Sequence, residues 1–241
     1  RESGKPCVAF AETIGGMTPA NGSYLLSTAF DKIRLQPSGS VGLVGLSVEH
    51  PFLRGTLDSL GIQPVFGQRE DYKLAPNMYT ETAFTDRHRE ATLALLGDQF
   101  DQLVSGIADG RGVETDIVRA WIEEGPYMAK EALAAGLVDV LSYVDEAHGS
   151  FAVEHPDAER VKLSAYAREE TSDSGSRIAL IYGVGTIVSG PSRYGPVDES
   201  QTAGSDTVLE AFDKASADPD VRAILFRVDS PGGSYVASDA I

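Results

Sequence analysis

The run Ala223-Ile224-Leu225-Phe226-Arg227-Val228-Asp229 breaks at Ser230-Pro231-Gly232-Gly233 and continues into helix-forming residues from Ser234. No other feature narrows the fold as far. An apolar strand that ends this way leaves backbone N–H groups free where an anion, or a carbonyl becoming an oxyanion, can be held. Proline removes a donor and fixes φ, while paired glycines let the backbone approach a ligand closely. The same residues also suit a tight strand-to-helix turn that binds nothing.

Elsewhere, short apolar strands alternate with helices, which argues for an α/β chain with mainly parallel sheets. Strands are predicted at Cys7–Glu12, Ile33–Leu35, Val41–Leu46 (as a strand or bend), Pro64–Phe66 and 136–139, and a buried strand at Arg177–Gly185. Helices are predicted at Ser23–Phe30, Pro51–Leu60, Thr115–Glu123, Tyr127–Ala135 and Ser205–Ala217. A longer helix starts near Thr85-Asp86, where Leu93, Leu96, Phe100, Leu103 and Ile107 recur at steps of three and four as a core face. Trp121 is expected at a helix junction. The polar stretch 160–176 has too little apolar surface for a core and reads as a linker. It separates a unit at 1–159 from one beginning at 177 and running to 241.

Composition excludes several functions. The 36 acidic and 20 basic residues give a net charge of −16, which repels phosphate backbones, so nucleic acid is not an expected partner. The single cysteine, Cys7, is read as a small buried strand residue and rules out an intramolecular disulfide. His50, His88, His148 and His155 show no metal-ligand spacing, and no metal or organic cofactor is expected. No apolar run reaches the length of about 18 residues that crosses a bilayer, and no signal peptide opens the chain. Arg1-Glu2-Ser3-Gly4-Lys5-Pro6 leads straight into a strand, which leaves room for a lost anchor.

With no histidine nominated as a base, Lys73 in Glu70-Asp71-Tyr72-Lys73-Leu74 becomes worth weighing. A lysine acts as a base only when neutral, which burial can bring about. Tyr72 and Leu74 favour desolvation, whereas Glu70 and Asp71 favour the ammonium, and the local sequence alone equally suits a solvated surface lysine. Ser234 lacks the second glycine of a Gly-x-Ser-x-Gly elbow and reads as a first-turn residue bonding its own backbone.

Three segments in order resemble the signal peptide peptidase A, or protease IV, family of ClpP/crotonase-like serine peptidases (peptidase family S49) in its long, two-domain form. They are Ser23-Tyr24-Leu25-Leu26-Ser27-Thr28-Ala29-Phe30-Asp31-Lys32-Ile33 with Gly39-Ser40-Val41-Gly42, Tyr72-Lys73-Leu74-Ala75 with Arg89-Glu90-Ala91, and Leu225 to Ser234. The resemblance implies a fold of two homologous domains, residues 1–159 being the back of the lysine-bearing first and 177–241 the truncated front of the second. It implies Lys73 as general base and Gly233 as an oxyanion-hole residue. Asn21 stands where the family has a nucleophilic serine, and a carboxamide cannot attack as an alkoxide does. The nucleophile is therefore expected beyond Ile241, and this chain alone is expected to be inactive. Leu74 and Glu70 depart from the family's serine and glycine.

The implied activity is a Ser/Lys-dyad serine endopeptidase degrading cleaved signal peptides and short hydrophobic peptides. It would work as a tetramer-like ring at the periplasmic face of the bacterial inner membrane, anchored by a segment outside this chain. A noncatalytic scaffold or peptide-binding subunit is the alternative. An acyl-CoA-binding crotonase relative would leave Tyr72-Lys73 without a role.

Overall fold

The computed structural model describes residues 4–15, 18–159, 161–162, 176–195 and 200–241. The chain divides into two compact units, Arg1–Glu159 and Arg160–Ile241. Most of the predicted linker lies outside the described residues.

The first unit runs β1 (Val8–Ala11), α1 (Asn21–Ser27), β2 (Lys32–Leu35), β3 (Ser40–Val41), α2 (Arg54–Ser59), α3 (Asn77–Thr80), α4 (Asp86–Arg111), α5 (Thr115–Glu124), β4 (Tyr127–Met128), α6 (Ala129–Ala135), β5 (Val140–Leu141) and α7 (Val144–Glu154). Its main sheet is parallel, in the order β1-β2-β5, with Val8 opposite Lys32 and Arg34 opposite Val140. β3 and β4 form a short antiparallel pair. Ile33 and Leu35 alternate into the core from β2 and are fully buried with Tyr24, Val41 and Leu43. Burying an aliphatic side chain of this size contributes about 1.5–3 kcal/mol, and these residues share one core with Val104, Ile107, Val118 and Leu137.

Helix α4 begins where the Thr85 hydroxyl accepts the His88 N–H at 3.2 Å and ends at Gly112 in the left-handed region. Its second half packs on α1 at close range. A Cβ on Gly110 would lie 2.3 Å from the Thr28 hydroxyl, and one on Gly106 would lie 2.8 Å from Leu25. The apolar stripe behaves as a core face only there: Leu103 and Ile107 are buried, whereas Leu93 is 59 % exposed. In the first half of the helix His88 alone is buried.

Other expectations need correction. Pro64–Phe66 forms no strand, because no neighbouring strand offers it a ladder. Val65 is exposed and Phe66 instead stacks on Tyr79 at 5.5 Å. Beyond Val41 the segment to Leu46 has no regular structure, although Leu43 is fully buried. Cys7 is half-buried and precedes β1, its N–H held by the Asp31 carboxylate at 2.8 Å. Trp121 is buried on α5 near Gly136, as a junction residue should be.

The second unit contains β6 (Arg177–Val184), β7 (Thr186–Val188), β8 (Thr202–Gly204), α8 (Ser205–Ala217), β9 (Val221–Asp229) and α9 (Tyr235–Ala240). β6 pairs parallel with β9, and β7 with β8. The β6 strand is buried on one face only. Ile181 packs inward, and Phe226 beside it meets Phe212 of α8 edge-on at 5.2 Å. Ile178, Leu180 and Tyr182 on the alternate face are exposed, because α8 covers one side of this two-stranded sheet.

Asp139 ties the first unit together. Its carboxylate accepts the Ile33 N–H at 2.7 Å and two N–H groups of Arg111 at 2.7 and 3.1 Å, while Arg111 also donates to the Gly136 carbonyl at 2.8 Å. The buried Tyr24 hydroxyl donates to the adjacent Leu137 carbonyl at 2.8 Å. Burial pushes the Asp139 carboxyl up, but the Arg111 guanidinium and then the Ile33 N–H outweigh it and hold it below the ordinary carboxylate range. A depressed folded-state value makes this contribution complete above the unfolded value of about 3.9 and lost as pH falls through the folded one. Asp139→Asn should therefore lower the urea midpoint near neutral pH, followed by the fluorescence of the single Trp121. The gap from the parent chain should shrink below about pH 4. A gap independent of pH would show that the carboxylate's charge is not what binds these elements.

Candidate active site

Lys73 lies on an exposed loop after the turn Glu70–Tyr72. Its carbonyl accepts from the Gln68 amide at 2.8 Å, and among the described residues nothing pairs with its ammonium. Glu70 has φ +65°, the left-handed conformation that glycine adopts without steric cost. Glu70, which stands where the resemblance expects a glycine, is thus the one non-glycine residue described with positive φ.

The loop is anchored through Tyr72. Its hydroxyl donates to the Glu90 carboxylate at 2.9 Å, and Arg87 donates to the same carboxylate at 2.9 Å and to the Tyr72 oxygen at 3.3 Å. The Arg87 guanidinium also sits 5.5 Å from the Tyr72 ring centroid. The Tyr72 hydroxyl first, then Arg87, hold the Glu90 carboxyl below its ordinary range. Glu90 belongs to the sequence-matched Arg89-Glu90-Ala91 run. Arg87 was not singled out by sequence, and the three-residue step Arg87–Glu90 on a helix was the available signal.

Asn21 is the first residue of α1, and its side-chain oxygen accepts the Val44 N–H at 3.0 Å. Ala20 N–H to the Gly42 carbonyl at 2.9 Å and Gly42 N–H to the Ile14 carbonyl at 2.7 Å lace the same turn. The carboxamide therefore joins a structural network, using an acceptor that serine's shorter side chain would not carry as far.

In the second unit the Ser230–Ser234 turn docks on β7. Ile187 N–H donates to the Gly232 carbonyl at 3.0 Å, and Ser234 N–H donates to the Ile187 carbonyl at 2.8 Å. Gly232 N–H is taken by the Ser230 hydroxyl at 3.1 Å. Among the described residues no acceptor meets the Gly233 N–H, and Gly233 is exposed. Ser234 caps α9 by accepting the Ala237 N–H at 3.2 Å, the local backbone role expected of it. Lys32 enters β2 with its ammonium 4.0 Å from the Glu154 carboxylate.

The histidines, scattered in sequence, are partly gathered: His50 and His88 stand 4.7 Å apart between ring centroids. No group of three or more potential metal ligands forms among the described residues.

The first unit thus carries an exposed lysine in its Tyr-Lys loop, and the second, taken by itself, a Ser-Pro-Gly-Gly turn whose Gly233 N–H meets no acceptor among the described residues. The sequence profile of Peptidase family S49 matches residues 1–155, and the chain belongs to that family. It is 27% identical to Protease 4 of Haemophilus influenzae and to Protease 4 of Salmonella typhi, in each case over all of this chain and 40% of the relative. It is also 27% identical to the chloroplastic serine protease SPPA of Arabidopsis thaliana, over 99% of this chain and 36% of that protein. The chain thus spans about two fifths of the length of the curated relatives it matches.

A Cβ at Gly233 would fall 2.1 Å from the Ile187 carbonyl oxygen. Gly233→Ala is therefore expected to lift the turn from β7 and strip the Ser234 amide of hydrogen-exchange protection. Protection equal to the parent's would show that the turn does not need glycine at this place.

Proposed function

We propose that this chain forms part of a serine endopeptidase of Ser/Lys-dyad type that degrades cleaved signal peptides and other short hydrophobic peptides in extended form. The observation that carries the reading is the exposed, unpartnered Gly233 N–H, held at a turn whose neighbouring N–H groups are already bonded. Such a donor is set for an oxyanion and needs no rearrangement as charge develops.

In this reading neutral Lys73 takes the proton from a serine hydroxyl as the serine oxygen attacks the scissile carbonyl. The Gly233 N–H holds the resulting oxyanion. Lysine then returns the proton to the leaving amine, and water hydrolyses the acyl-enzyme by the same sequence. The serine belongs to a segment beyond Ile241, since Asn21 supplies no nucleophile. The two units represent the back and front of two homologous domains. Completion of the site would desolvate Lys73, exposed in this structure, as a base near neutral pH requires. A ring of copies at the periplasmic face of a bacterial inner membrane is part of the same proposal. No helix among the described residues is long and apolar enough to cross a membrane, so the anchor would lie elsewhere. The bonded Asn21 also fits a peptide-binding unit without chemistry, and the same experiment separates the two.

In the longer protein, Lys73→Ala should lower turnover of a hydrophobic peptide by about 10²–10⁴-fold or more with folding intact. Lys32→Ala, altering the contact with Glu154 and a minor influence on Asp139, should leave turnover near the parent's. Undiminished turnover in Lys73→Ala would remove the base role, and an inactive parent protein would favour the binding unit.

A further inference from the structure

Behind the Tyr-Lys loop the first unit contains a cavity of about 520 Å³, within the range of ligand-binding pockets. Leu74 and Ala75, the two residues after Lys73, form part of its wall. Met78 of α3 and Leu95 and Leu96 of α4 supply apolar surface opposite His50 and His88. The first half of α4 thus walls a cavity, while its second half enters the core.

His88 is only 5% exposed, and its Nδ1 is buried without a hydrogen-bond partner. Its ring lies 4.7 Å from both His50 and Phe84 and 6.0 Å from Phe52. The charges around it are few. The 47–53 segment contributes His50 to the wall, its Glu49 being exposed and outside the lining. The lysine loop contributes Leu74 and Ala75, and α3 contributes Met78, all uncharged. On α4, Arg89 is drawn over the Phe84 ring at 5.6 Å, while Arg87 and Glu90 are occupied with Tyr72. No carboxylate lines the cavity. A proton on His88 would thus be buried without a counter-ion, beside a second imidazole and in the first turn of a helix, where cations are disfavoured. Burial first, and then His50, hold the His88 imidazole below its ordinary value.

We propose that this cavity is a pocket for an uncharged apolar side chain, and that a proton on His88 closes it. The geometry gives the reason. An imidazolium in this wall must draw water to itself, and that water occupies the space an apolar group would fill. Conversely, an apolar occupant dries the wall further and makes protonation of His88 harder. The two effects are one coupling seen from either side. That the side chain belongs to an extended peptide rests on the peptidase reading, since the pocket adjoins the loop carrying Lys73.

The probe is N-phenyl-1-naphthylamine, an uncharged apolar fluorophore, titrated into the 241-residue chain. Its affinity should fall by about tenfold or more from about pH 7.5 to about pH 5, across and below the ordinary imidazole range. Saturating probe should lower the His88 value, followed by NMR of its ring, by about one unit for each tenfold of that change. Ala91→Trp, filling the pocket, should abolish binding at both pH values. Equal affinity at the two pH values, an unmoved His88 titration, or unaltered binding to folded Ala91→Trp would each overturn the proposal. A hydrophobic peptide should displace the probe near pH 7.5, and failure to do so would remove the peptide as occupant. None of these readouts requires turnover, so a failure of the Lys73 assignment in the longer protein is told apart from a failure of the pocket.

Discussion

The Asp139 carboxylate is the point on which the first unit's arrangement depends. It bonds to β2 through Ile33 and to the last turn of α4 through Arg111, while Arg111 reaches the turn after α6. Tyr24 of α1 closes the same circle at Leu137. Four pieces of chain far apart in sequence thus meet around one half-buried ion pair. Such a pair holds position through its hydrogen bonds more than through net electrostatic gain, because two charges must be partly taken out of water to make it. Removing one partner would strand the other.

Because α4 is fixed at its C-terminal end, its other end is free to serve the candidate site. The second half packs against α1 at Gly106 and Gly110. The first half carries Arg87 and Glu90, which hold Tyr72, and His88, Leu95 and Leu96, which wall the cavity. One rigid helix therefore connects the sheet to the lysine loop. The second unit is organised differently. Its Ser-Pro-Gly-Gly turn is positioned by backbone bonds to β7 and by the Ser230 hydroxyl on the Gly232 N–H, and its close approach to Ile187 depends on the absence of a Cβ at Gly233.

Much of the fold was legible in the sequence, and particular residues show why. The helix start near Thr85-Asp86 and the strand at Ile33–Leu35 are local signals, and each segment carries its own evidence. The Pro64–Phe66 error arose because β-propensity describes a residue's fit to a sheet without supplying the partner strand. The stripe on α4 shows its period in the sequence but not its location. A periodic face says which side of a helix is apolar, and it leaves open whether core, cavity or solvent lies opposite.

The sequence by itself determined the family, the alternation of strands and helices, and the residue types at the lysine loop and the glycine turn, because these are written in contiguous motifs. Tertiary structure alone decided three matters. It placed Asn21 in a bond to Val44, joined Tyr72 to Arg87 and Glu90, and brought His50 against His88 around an unpartnered nitrogen. Each depends on which segments meet in space. No local pattern encodes that outcome, since packing between distant segments is settled by the whole unit's burial and hydrogen bonding at once.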